Sequence, residues 1–93
     1  LQVLEQDPRD ADTLHNAVIL LADRGRIDEA LDHADRLIAA HPRDARGYND
    51  RGIILARTGD TVSARDAFQR GLAAVPGHPG LAQNLERIQK SSN

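Results

Sequence analysis

Residues Ala45 to Pro76 read ARGYNDRGIILARTGDTVSARDAFQRGLAAVP, and the fold follows from them. Tyr48, Gly52 and Leu55 recur at the three- and four-residue spacing of one helix face, behind an Asp44 placed to cap the first turn. Thr58-Gly59-Asp60 breaks the period as a turn. Val62, Ala64, Ala67, Phe68, Leu72 and Val75 then form a second apolar stripe that closes at Pro76. The spacing predicts helices over 45–58 and 61–74. A connection of about two residues obliges them to lie antiparallel and adjacent.

The same plan stands one period upstream. Pro8, Pro42 and Pro76 are each separated by thirty-four residues, and Ala11 to Asp44 laid over Ala45 to His78 without a gap gives eleven identities, among them Ile19/Ile53, Leu21/Leu55, Gly25/Gly59 and Ala30/Ala64. A unit of this length with two helical stretches cannot bury its apolar face alone and stacks on copies of itself, which predicts an all-α solenoid of antiparallel helix pairs. In the first repeat Asp10 caps a helix over 11–24 whose Leu14, Ala17, Val18 and Leu21 turn inward, and Gly25 ends it in a left-handed conformation. Ile27, Ala30, Leu31, Ala34, Leu37 and Ile38 stripe a helix over 27–40. Gly52 opposite Ala64 is expected to let the third and fourth helices approach closely.

Both ends carry partial units. Leu1 to Asp7 occupies the slots held later by Asp35 to His41 and Gln69 to Val75, so it reads as the end of a truncated preceding helix with Val3 and Leu4 turned inward, and the chain reads as a piece of a longer protein. Pro79 suits a first helical turn and opens a capping helix over 79–90. Its Leu81, Leu85 and Ile88 point inward, while Gln83, Glu86, Arg87, Gln89 and Lys90 make a wet face. The expected organisation is one domain, 1–93, with full repeats at 11–44 and 45–78 and a polar tail at 91–93.

Composition excludes more than it selects. A net charge of -2, from twelve basic and fourteen acidic residues, gives no field that would collect phosphate backbones or anionic lipids. The absence of cysteine removes disulfides, thiolate catalysis and cysteine-based zinc sites, and leaves reducing and oxidising compartments equally open. No run of about eighteen apolar residues is present to span a bilayer, so no membrane insertion is expected.

Catalytic and metal chemistry find no constellation. His15, His33, His41 and His78 share no helical turn, and Asp12 with His15 supplies only two ligands where a metal needs several. Asp7-Pro8-Arg9-Asp10-Ala11-Asp12 lacks the turn glycine and terminal bidentate acid of a calcium loop. The glycines are spaced as helix punctuation rather than as a phosphate loop, and Ser63 has no evident base. Asp28, Glu29, Asp32 and Asp35, with Arg24, Arg26 and Arg36 beside them, read as a solvated charged face. The expectation is a protein that is not an enzyme and carries no cofactor.

The pattern resembles the tetratricopeptide repeat (TPR), whose thirty-four-residue motif favours a large residue at its fourth position, small ones at the eighth and twentieth, an aromatic at the twenty-fourth and proline at the thirty-second. In the second repeat these fall on Tyr48, Gly52, Ala64, Phe68 and Pro76. In the first, Leu14, Gly25, Ala30 and Pro42 fit, whereas Val18 stands where a small residue is usual and Ala34 where an aromatic is. Ala17 beside Val18 is expected to exchange large for small locally.

The resemblance implies a right-handed array in which the first helix of every pair lines a concave groove for a segment of another protein. The family's groove positions fall on Asp12, His15, Ile19, Ala22 and Asp23; on Arg46, Asn49, Ile53, Ala56 and Arg57; and on Gly80, Gln83 and Arg87. Asn49 and Gln83 have the donors and acceptors for a peptide backbone, Arg46 and Arg87 suit a carboxylate, and Ile19 with Ile53 offers an apolar step. The clamp by which some members grip a chaperone's terminal carboxylate needs lysine and asparagine in the first helix, asparagine in the next and a basic pair in the third. The matching places hold His15 and Ile19, Asp50, then Gly80 and Asn84, so chaperone-tail binding is not expected. The function read from the sequence is a protein-interaction scaffold. The alternative is self-association through the edge around Val3 and Leu4 or through the stripe of the capping helix.

Overall fold

Five α-helices follow one another in the computed structural model, which describes residues 8–91: α1 (Ala11–Asp23), α2 (Ile27–Ala40), α3 (Ala45–Arg57), α4 (Thr61–Ala74) and α5 (Pro79–Ser91). Leu1 to Asp7, with the expectations for Val3 and Leu4, lies outside the described residues.

Three of the helices begin on an aspartate that accepts a backbone N–H of the first turn. Asp10 takes that of Thr13, Asp44 that of Arg46 and Asp60 that of Ser63, each at 3.0 Å. These bonds satisfy donors that the helix itself leaves open. Helix α2 has no side-chain cap, and Asp28 and Glu29 in its first turn face the positive end of the dipole instead. The turn inside each repeat is set by glycine. Gly25 and Gly59 take φ of 75° and 90°. The two N–H groups after each helix then bond back in the same register: Gly25 to Ala22 and Arg26 to Leu21, Gly59 to Ala56 and Asp60 to Leu55. This double closure satisfies the last carbonyls and reverses the chain within two residues.

Helices α1 and α2 pack as one pair and α3 and α4 as another. Helix α2 also touches α3, α4 touches α5, and α1, α3 and α5 meet in line. The first helices therefore form one layer and the second helices another, the arrangement of an all-α solenoid of TPR type.

Packing differs between the repeats in a way that the sequence reading misplaced. Around α3, α4 and α5 the core holds Tyr48, Leu55, Ala64, Phe68, Leu81 and Ile88. A Cβ built on Gly52 would stand 2.2 Å from Cε1 of Phe68. What Gly52 admits is thus the Phe68 ring, and the small-against-small contact expected with Ala64 is not the tight one. In the first repeat Val18, Ala30 and Ala34 pack together with Ile54, and Val18 and Ala34 are fully buried. The exchange of large for small therefore runs across the pair, Val18 with Ala34 replacing Gly52 with Phe68. It does not run between Ala17 and Val18 on one helix.

The capping helix corrects a second expectation. Leu81 and Ile88 are buried within the chain itself, so the α5 stripe is not an open surface for another copy.

Candidate functional site

Along the layer of first helices, polar side chains reach from one repeat to the next. His15 Nδ1 lies 2.6 Å from Asp50 Oδ2, and Asn84 Nδ2 donates to Asn49 Oδ1, also at 2.6 Å. Both pairs are separated by thirty-five residues: each joins the fifth position of one repeat to the sixth of the next. One step nearer the helix starts, Arg46 Nη1 donates to Asp12 Oδ1 at 2.8 Å across thirty-four residues. The repeat geometry thus places equivalent residues side by side, and their side chains form a ladder. Asp50 is buried, and burial pushes its carboxyl above the usual carboxylate range while the His15 bond pulls the other way.

Further along the helices the face turns apolar. Ile19 and Ile53, with Val18, Ala22 and Ile54, line a hollow of about 170 Å³ between α1 and α3, whose remaining lining is Asp50, Asp23 and Arg57. Ile19 is 45% exposed beside the half-buried Ile53. On α5, Gln83 and Arg87 line a separate polar hollow with Glu86 and Lys90. A wider depression of about 660 Å³ lies instead at the turns between repeats, from His41 to Arg46 with Val75 and His78. Within it Asp44 and Arg46 are tied to each other.

The eight residues singled out from the sequence therefore separate into groups. Asp12, His15, Arg46 and Asn49 are engaged in bonds between repeats, Ile19 and Ile53 line the apolar hollow, and Gln83 and Arg87 lie on the capping helix. Arg46, expected to suit a carboxylate, is engaged with two carboxylates of the chain itself. Its Nε and Nη2 donate to Asp44 at 3.0 and 2.7 Å and its Nη1 to Asp12, bonds with which a ligand carboxylate would compete. The Arg46 bonds in turn hold Asp44 below the usual carboxylate range. Asp50 and Asn84 are the positions that sequence reasoning weighed only as members of a clamp. Their signal was the thirty-five-residue offset from His15 and Asn49, legible once the repeat register is fixed.

Of the other histidines, two are engaged locally, His33 Nδ1 with the Glu29 carbonyl at 2.9 Å and His78 Nδ1 accepting the Leu81 N–H at 3.2 Å, while His41 Nε2 lies 2.6 Å from the Arg9 carbonyl, thirty-two residues away ahead of α1. On α2, Glu29 and Asp32 pair with Arg26 and Arg36, and Asp35 pairs with Arg51 of α3. Among the described residues no three His, Asp or Glu side chains gather as metal ligands, and no helix is long and apolar enough to cross a membrane.

Stacked helix pairs with a polar ladder and an apolar hollow along one layer define a helical-repeat scaffold. The family model of the tetratricopeptide repeat matches residues 15–79, and the chain belongs to that family. It is 32% identical over 77 residues to the Hsp70-Hsp90 organizing protein of Triticum aestivum, a match covering 83% of this chain and 13% of that relative. Among solved structures it is similar to the first TPR of Spaghetti (RPAP3) bound to the HSP90 peptide SRMEEVD, with TM-score 0.77 and 16% identity over 92% of this chain and 68% of that one. It is also similar to YrrB, a TPR protein with an unusual peptide-binding site, with TM-score 0.81 and 21% identity over 98% of this chain and 47% of that one. At these identities the structural matches speak for the fold.

Proposed function

We propose that the chain is a non-catalytic scaffold that holds a segment of a partner protein along the layer formed by α1, α3 and α5. The observation that carries this is the half-exposed Ile19 beside Ile53, an apolar hollow set in an otherwise polar face. A hollow of about 170 Å³ suits a single aliphatic side chain of the segment, with Asp23 and Arg57 at hand for polar neighbours. Asn49 retains its Nδ2 donors beyond the Asn84 bond, and Gln83 and Arg87 extend the polar track on α5.

A carboxylate-terminated chaperone tail is not the segment favoured. RPAP3 binds the peptide SRMEEVD, but here the clamp places hold His15, Ile19, Asp50, Gly80 and Asn84. None is a lysine or arginine, and Asp50 would repel the incoming carboxylate. Titration calorimetry with SRMEEVD should show no heat of binding, and micromolar affinity would overturn this part of the reading. The groove is tested by panning a displayed peptide library on the chain and titrating the recovered peptides. Ile19→Glu combined with Ile53→Glu should weaken them at least about tenfold while circular dichroism stays unchanged. Equal affinity for the double variant would remove the hollow from consideration.

A further inference from the structure

Helix α5 starts on a histidine. The His78 carbonyl accepts the N–H of Ala82 at 3.0 Å and its ring Nδ1 accepts that of Leu81 at 3.2 Å, the two bonds by which a residue caps a helix. Thirty-four residues upstream the same place is held by Asp44, and thirty-four before that by Asp10. An imidazole stands where the other repeats have a carboxylate. Gly80 leaves room for it, since a Cβ there would lie 3.1 Å from Cε1 of the ring.

A backbone N–H can only donate, so the Nδ1 that receives it carries a lone pair and the proton of the neutral ring sits on Nε2. Imidazolium has a proton on both nitrogens and no acceptor. Acid therefore removes this cap and leaves a cation at the positive end of the helix, whereas an aspartate goes on accepting until the carboxylate range is reached. Asp44 and Asp60, which cap α3 and α4, are held below that range by their bonds to Arg46 and Ser63. Among the described residues, the titratable and charged side chains lining the depression with His78 are His41, Arg43, Asp44 and Arg46, from the turn before α3 and its first residues. Asp44 is paired with Arg46, so Arg43 and an acid-charged His41 add positive charge to the site. The His15–Asp50 bond behaves differently, because a proton on either partner preserves a donor between them. Acid spares that joint.

What the cap restrains is the cover over the core of the second repeat. Leu81, in the first turn of α5, is fully buried against Gly71, where a Cβ would stand 2.9 Å from Leu81 Cδ1, and it shares a cluster with Tyr48 and Phe68. We propose that His78 is an acid-sensitive latch on α5: with the ring neutral the helix is capped and closed, and with the ring protonated its first turn opens and uncovers Leu81 and the core beneath. This device is independent of the proposed partner binding. The bond is available only to the neutral ring, so protection of α5 is full above the imidazole range and falls as acidification passes through it.

The test is amide hydrogen exchange across α5 in the full chain, read by mass spectrometry between about pH 8 and about pH 5 and expressed as protection factors, which divide out the intrinsic dependence of exchange on pH. His78→Asp keeps an acceptor at the cap throughout that window, and His78→Ala has none at either end. Wild type should lose at least about fivefold in α5 protection on acidification, His78→Asp should change less than about twofold, and His78→Ala should be less protected at both ends. Equal losses in wild type and His78→Asp overturn the proposal, as does His78→Ala matching wild type near pH 8. Ring nitrogen shifts by NMR give a second readout, and a neutral ring with its proton on Nδ1 would overturn the latch as well.

Discussion

The exchange between Gly52 with Phe68 and Val18 with Ala34 makes a quantitative prediction. Gly52→Val places a Cβ 2.2 Å from Phe68 Cε1 and 2.6 Å from its Cδ1 and Cζ, where carbon atoms settle at roughly 3.5–4.0 Å. The ring lies in a filled core and cannot move away freely, so overpacking of about 2–3 kcal/mol is expected, reduced by a few tenths from the better helix propensity of valine. Phe68→Ala removes a buried ring and costs about 3–5 kcal/mol. If the sites were independent, the double variant would lose about 5–8 kcal/mol, comparable to the whole stability of an ordinary domain. In the first repeat, however, valine and alanine occupy these two positions and both are fully buried. The double variant should therefore cost less than Phe68→Ala alone, because the valine fills part of the space left by the ring, giving a coupling of about 3 kcal/mol. Urea unfolding of the four proteins, read from midpoints at constant slope, closes the cycle. Additive losses would show that the two repeats do not exchange bulk in the way their packing indicates.

Other consequences are smaller and independent. Gly59→Ala meets no atom within 4 Å, so its cost of about 1–2 kcal/mol comes only from the φ of 90°, and thermal unfolding should fall by roughly 4–8 °C per kcal/mol lost. An unchanged midpoint would show that the turn relaxes without strain. His15→Ala leaves the buried Asp50 carboxyl without its 2.6 Å partner and should cost about 1–3 kcal/mol, whereas His15→Ala combined with Asp50→Leu should cost clearly less than the two single losses added; a purely additive pair would mean that the bond carries nothing. The raised Asp50 value also fixes a sign. As pH rises from 3.8, the unfolded chain releases this proton before the folded chain does, so wild type should lose stability relative to Asp50→Asn until the folded group has also ionised. Urea midpoints for both proteins across that window check it, and a difference that stays flat or moves the other way would refute the burial effect.

Helix positions were legible in the sequence because each boundary has a local chemical cause. Aspartate before α1, α3 and α4, glycine after α1 and α3, and proline after α2 and α4 and at the start of α5 carry that signal, and the spacing read from them agrees with the helices to within one residue. The groove positions were legible only as places. Periodicity says which side chains share a face, but not that Arg46 would spend its donors on Asp44 and Asp12, or that His15 would find Asp50. Those pairings depend on the distance between α1 and α3, which is set by packing beneath them. Small residues such as Ala30 and Ala34 under Ile54 bring the helices close enough for side chains thirty-four or thirty-five residues apart to bond. The same limit explains the misplaced exchange at Val18, since its partner lies on the other helix and not beside it in the chain.

On the proposed function, the ladder also constrains how a partner would be recognised. Side chains at the second, fifth and sixth positions fasten one repeat to the next, so a ligand that recruits His15 or Arg46 must first break a bond made within the scaffold. Ile19, Ile53 and their flanking Asp23 and Arg57 belong to no such bond in the ladder, and they lie at the ninth and thirteenth positions, toward the ends of the first helices. Recognition at the hollow leaves the stacking intact, whereas recognition at the ladder would loosen the register of the repeats themselves. The division of labour along α1 and α3, fastening near the start and an apolar hollow toward the end, is why, on the proposed function, substitutions at Ile19 and Ile53 should alter binding and those at His15 and Asp50 should alter stability.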